Sequence, residues 1–130
     1  MVVCDYGFSF RPPEMVKRRP AIVISPQIQG RVGLCTVVPL STEAPKIRLP
    51  FHIELPKLIL PPPFEKGPNW VKADMVFAAA FSRLELFRDG RDQQGRREYM
   101  SVCISDVDLI QVRAAILCGL GLSSLTKHLT

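Results

Sequence analysis

The chain has 130 residues, 47% hydrophobic and 22% charged, a balance that fits one globular domain over residues 1–130 and excludes a disordered chain. No apolar run approaches bilayer-crossing length. The opening MVVCDYGFSF carries an Asp in its apolar stretch and no basic start, so it is not a signal peptide and the protein is expected in the cytoplasm, with no membrane partner. The net charge of +5 is uneven: residues 1–60 hold eight Lys/Arg against four Asp/Glu, and residues 61–130 hold nine against eight, which suits either a polyanionic partner such as nucleic acid or plain solubility.

In chain order, short apolar runs alternate with Pro/Gly-rich breaks, the pattern of a small β barrel or sandwich. Val2–Tyr6 reads as a first strand, and Phe8–Arg19 as a polar loop that ends in Lys17-Arg18-Arg19. Pro20–Ser25 (PAIVIS) is β-branched and predicts a central buried strand. After a turn region at Pro26–Gly33, Leu34–Leu40 (LCTVVPL) predicts the next strand, and Ser41–Pro50 a second polar loop. Phe51–Leu55 (FHIEL) alternates as a strand does. Pro56–Asn69, with Pro56, Pro61, Pro62, Pro63 and Pro68, predicts an extended surface excursion, since proline cannot sit in a central ladder.

Trp70–Leu86 predicts one long or two short strands, Asp89–Arg97 (DGRDQQGRR) a charged hairpin tip or loop, and Glu98–Ile104 a last strand. A C-terminal helix follows. Ser105 can cap it, Asp106 and Asp108 suit its positive first turn, and Gly119 and Gly121 end it. Helical spacing puts Val107, Ile110, Ala114 and Leu117 on one face, with Val112 and Ile116 nearby. Cys4, Cys35, Cys103 and Cys118 are scattered and read as reduced, buried small hydrophobes. With no Cys/His pair at ligand spacing, neither a metal nor another cofactor is expected.

There is no P-loop, no G-x-G-x-x-G, no G-x-S-x-G and no Cys/His pair at catalytic spacing. Two loops carry the chemistry instead. If the strands after Arg19 and before Ser41 pair antiparallel, the two residues face each other at one edge of the sheet, where a guanidinium and a hydroxyl can grip a phosphate.

With these residues the sequence resembles the MazF/PemK (Kid) toxins of type II toxin–antitoxin systems. PEMVKRRPAIVISP followed by VVPLST, then LPFHIEL, then Lys72-Ala73-Asp74-Met75-Val76 and the terminal helix follow that family's order over roughly residues 2–120. The resemblance implies a mainly β fold, a small SH3-like barrel of the CcdB/MazF type with a C-terminal helix, assembled as a homodimer. It implies a metal-independent, sequence-specific endoribonuclease on single-stranded RNA, inhibited by a cognate antitoxin. It places the chemistry on Arg19 and Ser41, with Glu14 the matching acid. Ser41 stands where Thr is more usual, and Thr42 is a rival hydroxyl. Lys17, Arg18, Thr42 and His52 are the expected RNA contacts.

Cleavage of this kind uses the substrate's own 2′-hydroxyl, so the site must accept its proton, steady the charge on phosphorus and protonate the 5′ oxygen, leaving a 2′,3′-cyclic phosphate and a 5′-hydroxyl. An Arg is a poor base, so either Glu14 or His52 is left to take the proton. The competing expectation is a non-catalytic toxin or binding module on the same barrel, a gyrase poison or an antitoxin-peptide binder. The Lys127-His128-Leu129-Thr130 ending lacks the Trp-Gly-Ile of the gyrase poison CcdB.

Overall fold

The computed structural model describes residues 1–7 and 9–130; Phe8, at the start of the first polar loop, lies outside them. The β-branched run Leu34–Ser41 forms the longest strand, β3, and pairs along both edges. Before it come β1 (Val2–Asp5) and β2 (Arg18–Val23), and after it β4 (His52–Glu54), β5 (Trp70–Lys72), β6 (Phe77–Ala80), β7 (Leu84–Glu85), β8 (Phe87–Arg91) and β9 (Arg97–Met100). One edge of β3 pairs antiparallel with β2. The other edge is shared: Leu34–Val37 pair with β6, and Leu40 and Ser41 with β5. Pro39 falls at the change of partner, the place along a central strand where a residue without an N–H disrupts least.

The main sheet has the order β4-β5-β3-β2-β1-β7, with β6 also on β3. It is mainly β with one terminal helix, as expected. Among the described residues the barrel stays open, because β4 and β7 end the ladder without pairing to each other. Here β7 is only two residues long, and the chain leaves it for a separate two-stranded sheet of β8 and β9. The expected one or two strands over Trp70–Leu86 are three, β5 to β7, split by the turn at 73–76 and a 3₁₀ turn at Phe81–Arg83. Of the two expectations for Asp89–Arg97, the hairpin tip holds: β8 runs in to Arg91, residues 92–96 turn, and β9 leaves from Arg97.

Strand alternation divides the core. Ile22, Val38, Leu40 and Val71 face helix α1 (Asp106–Gly119) and its Val112, Ala115 and Ile116. On the opposite face Cys4, Tyr6, Ala21, Val37 and Ala79 pack with Phe10 and Phe77. A third cluster joins Val3, Leu60, Phe87 and Val102, tying the Pro-rich excursion to the β8–β9 hairpin.

Ser105 caps α1 as predicted, its hydroxyl accepting the Asp108 amide at 3.1 Å. The helix face is a correction. Val107, expected inward, is 65% exposed, whereas Val112 is fully buried. The helix is apolar nearly all round, so periodicity could not choose the face that packs. The cysteines also differ from expectation: all four are free, but only Cys4 is fully buried, and Cys103 is exposed. No helix among the described residues is long and apolar enough to cross a membrane.

The helix assignment has a direct test. Val112→Ala should cost about 2 kcal/mol of unfolding free energy in urea, and Val107→Ala within about 0.5 kcal/mol of none. Equal losses would reject the packing described here.

Candidate functional site

The β2–β3 ladder has two ends. At one, the connection through residues 26–33 turns the chain back. At the other, Arg18–Arg19 enter β2 and Ser41 leaves β3. The register runs Val23↔Val37, Ile22↔Val38, Ala21↔Pro39, and extending it by two residues places Arg19 opposite Ser41. Both residues line one cavity of about 210 Å³, together with Thr42, Phe64, Lys66 and Asn69. That volume lies below the roughly 300–1,000 Å³ of pockets that enclose whole drug-sized ligands and suits a group such as a phosphodiester.

The Arg19 side chain is anchored by Nε, which donates to the Val16 carbonyl at 3.0 Å, leaving the terminal nitrogens of its fork as remaining donors. Lys17, just before, adopts a left-handed backbone (φ 71°) and its carbonyl accepts the Tyr6 amide at 2.9 Å, so a tight corner swings the two arginines into β2. Ser41 is buried. Its Oγ accepts the Glu43 amide at 3.1 Å, which fixes the hydroxyl and keeps its hydrogen for another acceptor.

The remaining expected residues divide. Thr42 lines the cavity and is exposed. Arg18 also borders it, but its guanidinium is turned to Glu85, 2.5 Å away and shared with Arg88 at 3.5 Å. Lys17 is exposed and outside the lining. Glu14 is outside it too: its Oε2 accepts the Arg11 amide at 2.7 Å, and its own amide donates to the Arg11 carbonyl, closing a local turn. His52 sits on edge strand β4. Its Nδ1 accepts the Leu49 amide at 3.2 Å, which assigns the ring hydrogen to Nε2, and the ring meets Phe51 edge-on. Neither proton acceptor named from sequence therefore borders the cavity.

Sequence reasoning missed the cavity's other wall. Phe64, Lys66 and Asn69 belong to the Pro-rich excursion, whose role was unassigned. Asn69 is buried and its Nδ2 holds the Leu58 carbonyl at 2.8 Å, folding the excursion back beside β5. Two more cations flank Ser41. Trp70 pairs with Ser41 across the β3–β5 ladder and carries the Arg48 guanidinium 5.4 Å from its ring centre. Lys72 is two residues further along β5, hence on the same face as Trp70. Burial pushes the Lys72 ammonium below the ordinary lysine range, partly opposed by Asp74 and Glu43. Asp74 is exposed, because the chain turns just after β5. No signal in the sequence could have placed Arg48 on Trp70, since the contact depends on how the loop after β3 folds. Among the described residues no three His, Cys, Asp or Glu side chains group as a metal would need.

Comparison with known proteins agrees with this architecture. Residues 1–116 match the family model for PemK-like, MazF-like toxins of type II toxin-antitoxin systems. The uncharacterized protein YifN of Escherichia coli (strain K12) is 29% identical over 118 residues, covering 88% of this chain and 74% of YifN. Among solved structures, MazF from Deinococcus radiodurans superposes with a TM-score of 0.56 at 26% identity, over 92% of each chain. An endoribonuclease solved with its cognate antitoxin from a mycobacterial species gives a TM-score of 0.57 at 16% identity, over 93% of this chain and 90% of that one.

The electrostatics around Lys72 can be measured. Its side-chain signal, followed by NMR, should titrate below the ordinary lysine midpoint. Glu43→Gln removes a charge that holds the proton on and should move the midpoint lower still. An upward move would contradict the described surroundings.

Proposed function

The chain belongs to the PemK-like, MazF-like toxins of type II toxin–antitoxin systems, and on that premise we propose that it is a metal-independent endoribonuclease that cleaves single-stranded RNA at the Arg19–Ser41 cavity. The observation that carries this reading is the meeting of Arg19 and Ser41 in one cavity at the open end of the β2–β3 ladder, on a rigid part of the sheet. The scissile phosphate enters between them. The terminal nitrogens of Arg19 supply paired charged hydrogen bonds to phosphate oxygens, Ser41 donates one more, and Lys66 and Thr42 border the same space.

The 2′-oxygen attacks phosphorus, the bond to the 5′-oxygen breaks, and the products are a 2′,3′-cyclic phosphate and a 5′-hydroxyl. Charge accumulates on the phosphoryl oxygens as this happens, and donors fixed beforehand by Val16 and by the Glu43 amide stabilise it without reorganising. Glu14, His52 and Lys72 all lie outside the cavity lining; the 2′-hydroxyl proton therefore passes to water at the open mouth, and water returns a proton to the 5′-oxygen. Arg48 on its indole platform holds a neighbouring phosphate.

Membership of a toxin–antitoxin family, with an antitoxin-bound mycobacterial structure among the similar folds, supports a cognate antitoxin as the natural inhibitor. Exposed apolar residues support a homodimer. Ile28, Val32, Phe81 and Leu86 lie exposed around a groove of about 840 Å³ at the far end of the β2–β3 ladder, and a second copy would bury them.

Purified protein should cut long unstructured RNA in EDTA, leaving cyclic phosphate ends. Arg19→Ala should lower kcat about 10²-fold or more. Intact RNA with the wild type, or full activity in Arg19→Ala, would reject the reading. In sedimentation the chain should run as a dimer, and Phe81→Glu with Leu86→Glu as a folded monomer; a monomeric wild type would remove the homodimer.

A further inference from the structure

The β8–β9 hairpin stands outside the main sheet, and the cleavage chemistry does not use it. Its register pairs Phe87 with Met100, Arg88 with Tyr99, and Arg91 with Arg97, with an irregularity between Arg88 and Arg91. Paired residues share a face. Phe87 and Met100 therefore point inward to the third core cluster, whereas Arg88, Arg91, Arg97 and Tyr99 share the other face, and all four are exposed. On that face Arg88 is shared with Glu85 at 3.5 Å, which leaves Arg91 and Arg97 as its outer cations. Glu98 alternates to the other side. The Asp92 carboxylate is taken up by the turn, its Oδ1 accepting the Gln94 and Arg96 amides at 2.9 and 2.8 Å.

Arg91 stands directly across from Arg97, its Nη1 donating to the Gly95 carbonyl at 2.8 Å, and like charges on opposed positions repel. Arg97 has no ion-pair partner among the described residues. A polyanion lying along this face would relieve the repulsion. The face also holds an aromatic ring between its cations, the combination with which proteins hold single-stranded nucleic acid: guanidinium groups for phosphates and a ring on which a base stacks. An acidic peptide would use the charges and leave Tyr99 without a role.

The hairpin is joined to the cavity. Phe87, at its base, packs edge-on against Phe64 with ring centres 6.1 Å apart, and Phe64 lines the Arg19–Ser41 cavity. Resting on the RNA-cleaving reading above, we propose that the outer face of the β8–β9 hairpin is a second RNA-binding surface. It holds the strand beyond the scissile phosphate, with Arg91 and Arg97 on the backbone and Tyr99 stacked on a base.

The test uses the full-length protein and a mixed-sequence 20-nucleotide 2′-O-methyl RNA, which cannot be cut through its 2′-oxygens, with binding followed by fluorescence anisotropy across a salt series. Replacing both arginines (Arg91→Gln with Arg97→Gln) should weaken binding about tenfold and flatten the log–log salt slope by about 1.4, the loss of two single-strand phosphate contacts. A control lacking two other cations, Arg113→Gln with Lys127→Gln, should leave the slope in place. Tyr99→Ala should weaken binding about five- to tenfold, and Tyr99→Phe should restore it. On long cleavable RNA the double variant should raise KM about tenfold with kcat within about twofold.

Affinity and slope matching the control overturn the proposal. So does a double variant that loses binding to poly-L-glutamate and keeps it to RNA. If the wild type binds RNA without cutting it and the variants weaken that binding, the surface stands and the endoribonuclease reading falls. If the wild type cuts RNA and the variants bind as it does, the reverse holds. A wild type that binds no RNA at low salt removes both.

Discussion

The pairing of β3 along both edges is the constraint on which the rest of the molecule depends. One edge of Leu34–Ser41 sets the register of β2, and that register decides which residue of the basic run stands across from Ser41. The other edge takes β6 and then β5, which brings Trp70 beside Ser41 and Lys72 onto the same face. Slipping the β2–β3 register by one residue would send Arg19 to the opposite side of the sheet and exchange the two core faces with it. The burial of Ile22, Val38 and Leu40 against α1 therefore stabilises the cavity's geometry as well as the fold.

Around this ladder, charge is placed by local hydrogen bonds more than by ion pairs. Val16 holds Arg19, the Glu43 amide holds Ser41, and Trp70 carries Arg48. The ion pairs Arg18–Glu85 and Arg88–Glu85 are half exposed, where such pairs contribute little to stability. Their effect is on orientation: Glu85 draws the Arg18 guanidinium aside, so that Arg19 is the arginine of the pair whose remaining donors are available beside Ser41.

Much of this was legible in the sequence. The β-branched runs gave β3 nearly to the residue and β2 to within two at each end, because buried strands need apolar side chains at consecutive positions, while Arg18 and Arg19, expected in the loop, already belong to β2. The polar loops that bracket them gave Arg19 and Ser41. Ser105 was readable as a cap because the helix start has its own local chemistry. The helix face was not readable, since Val107, Ile110, Ala114 and Leu117 are as apolar as the stripe that packs. Nor was the partnering of β6 and β7, short segments whose pairing depends on distant strands. Glu14 and His52 were named for chemistry by residue type, but their polar atoms are engaged by nearby backbone amides, and no spacing rule reports that. The Pro-rich segment could be read only as extended. Its packing of Phe64 on Phe87, and hence its place as a wall, comes from contacts between residues 23 positions apart.

The cavity's two walls answer to different demands. Arg19 and Ser41 lie on paired strands that pack on both core faces, so change there disturbs the whole sheet. Phe64, Lys66 and Asn69 come from a proline-stiffened loop that pairs with no strand between Pro56 and Asn69. Substitutions in that loop can reshape the entrance while the ladder stays as it is. Descendants of one such chain could thus diverge in what they admit long before they diverge in what they do to it.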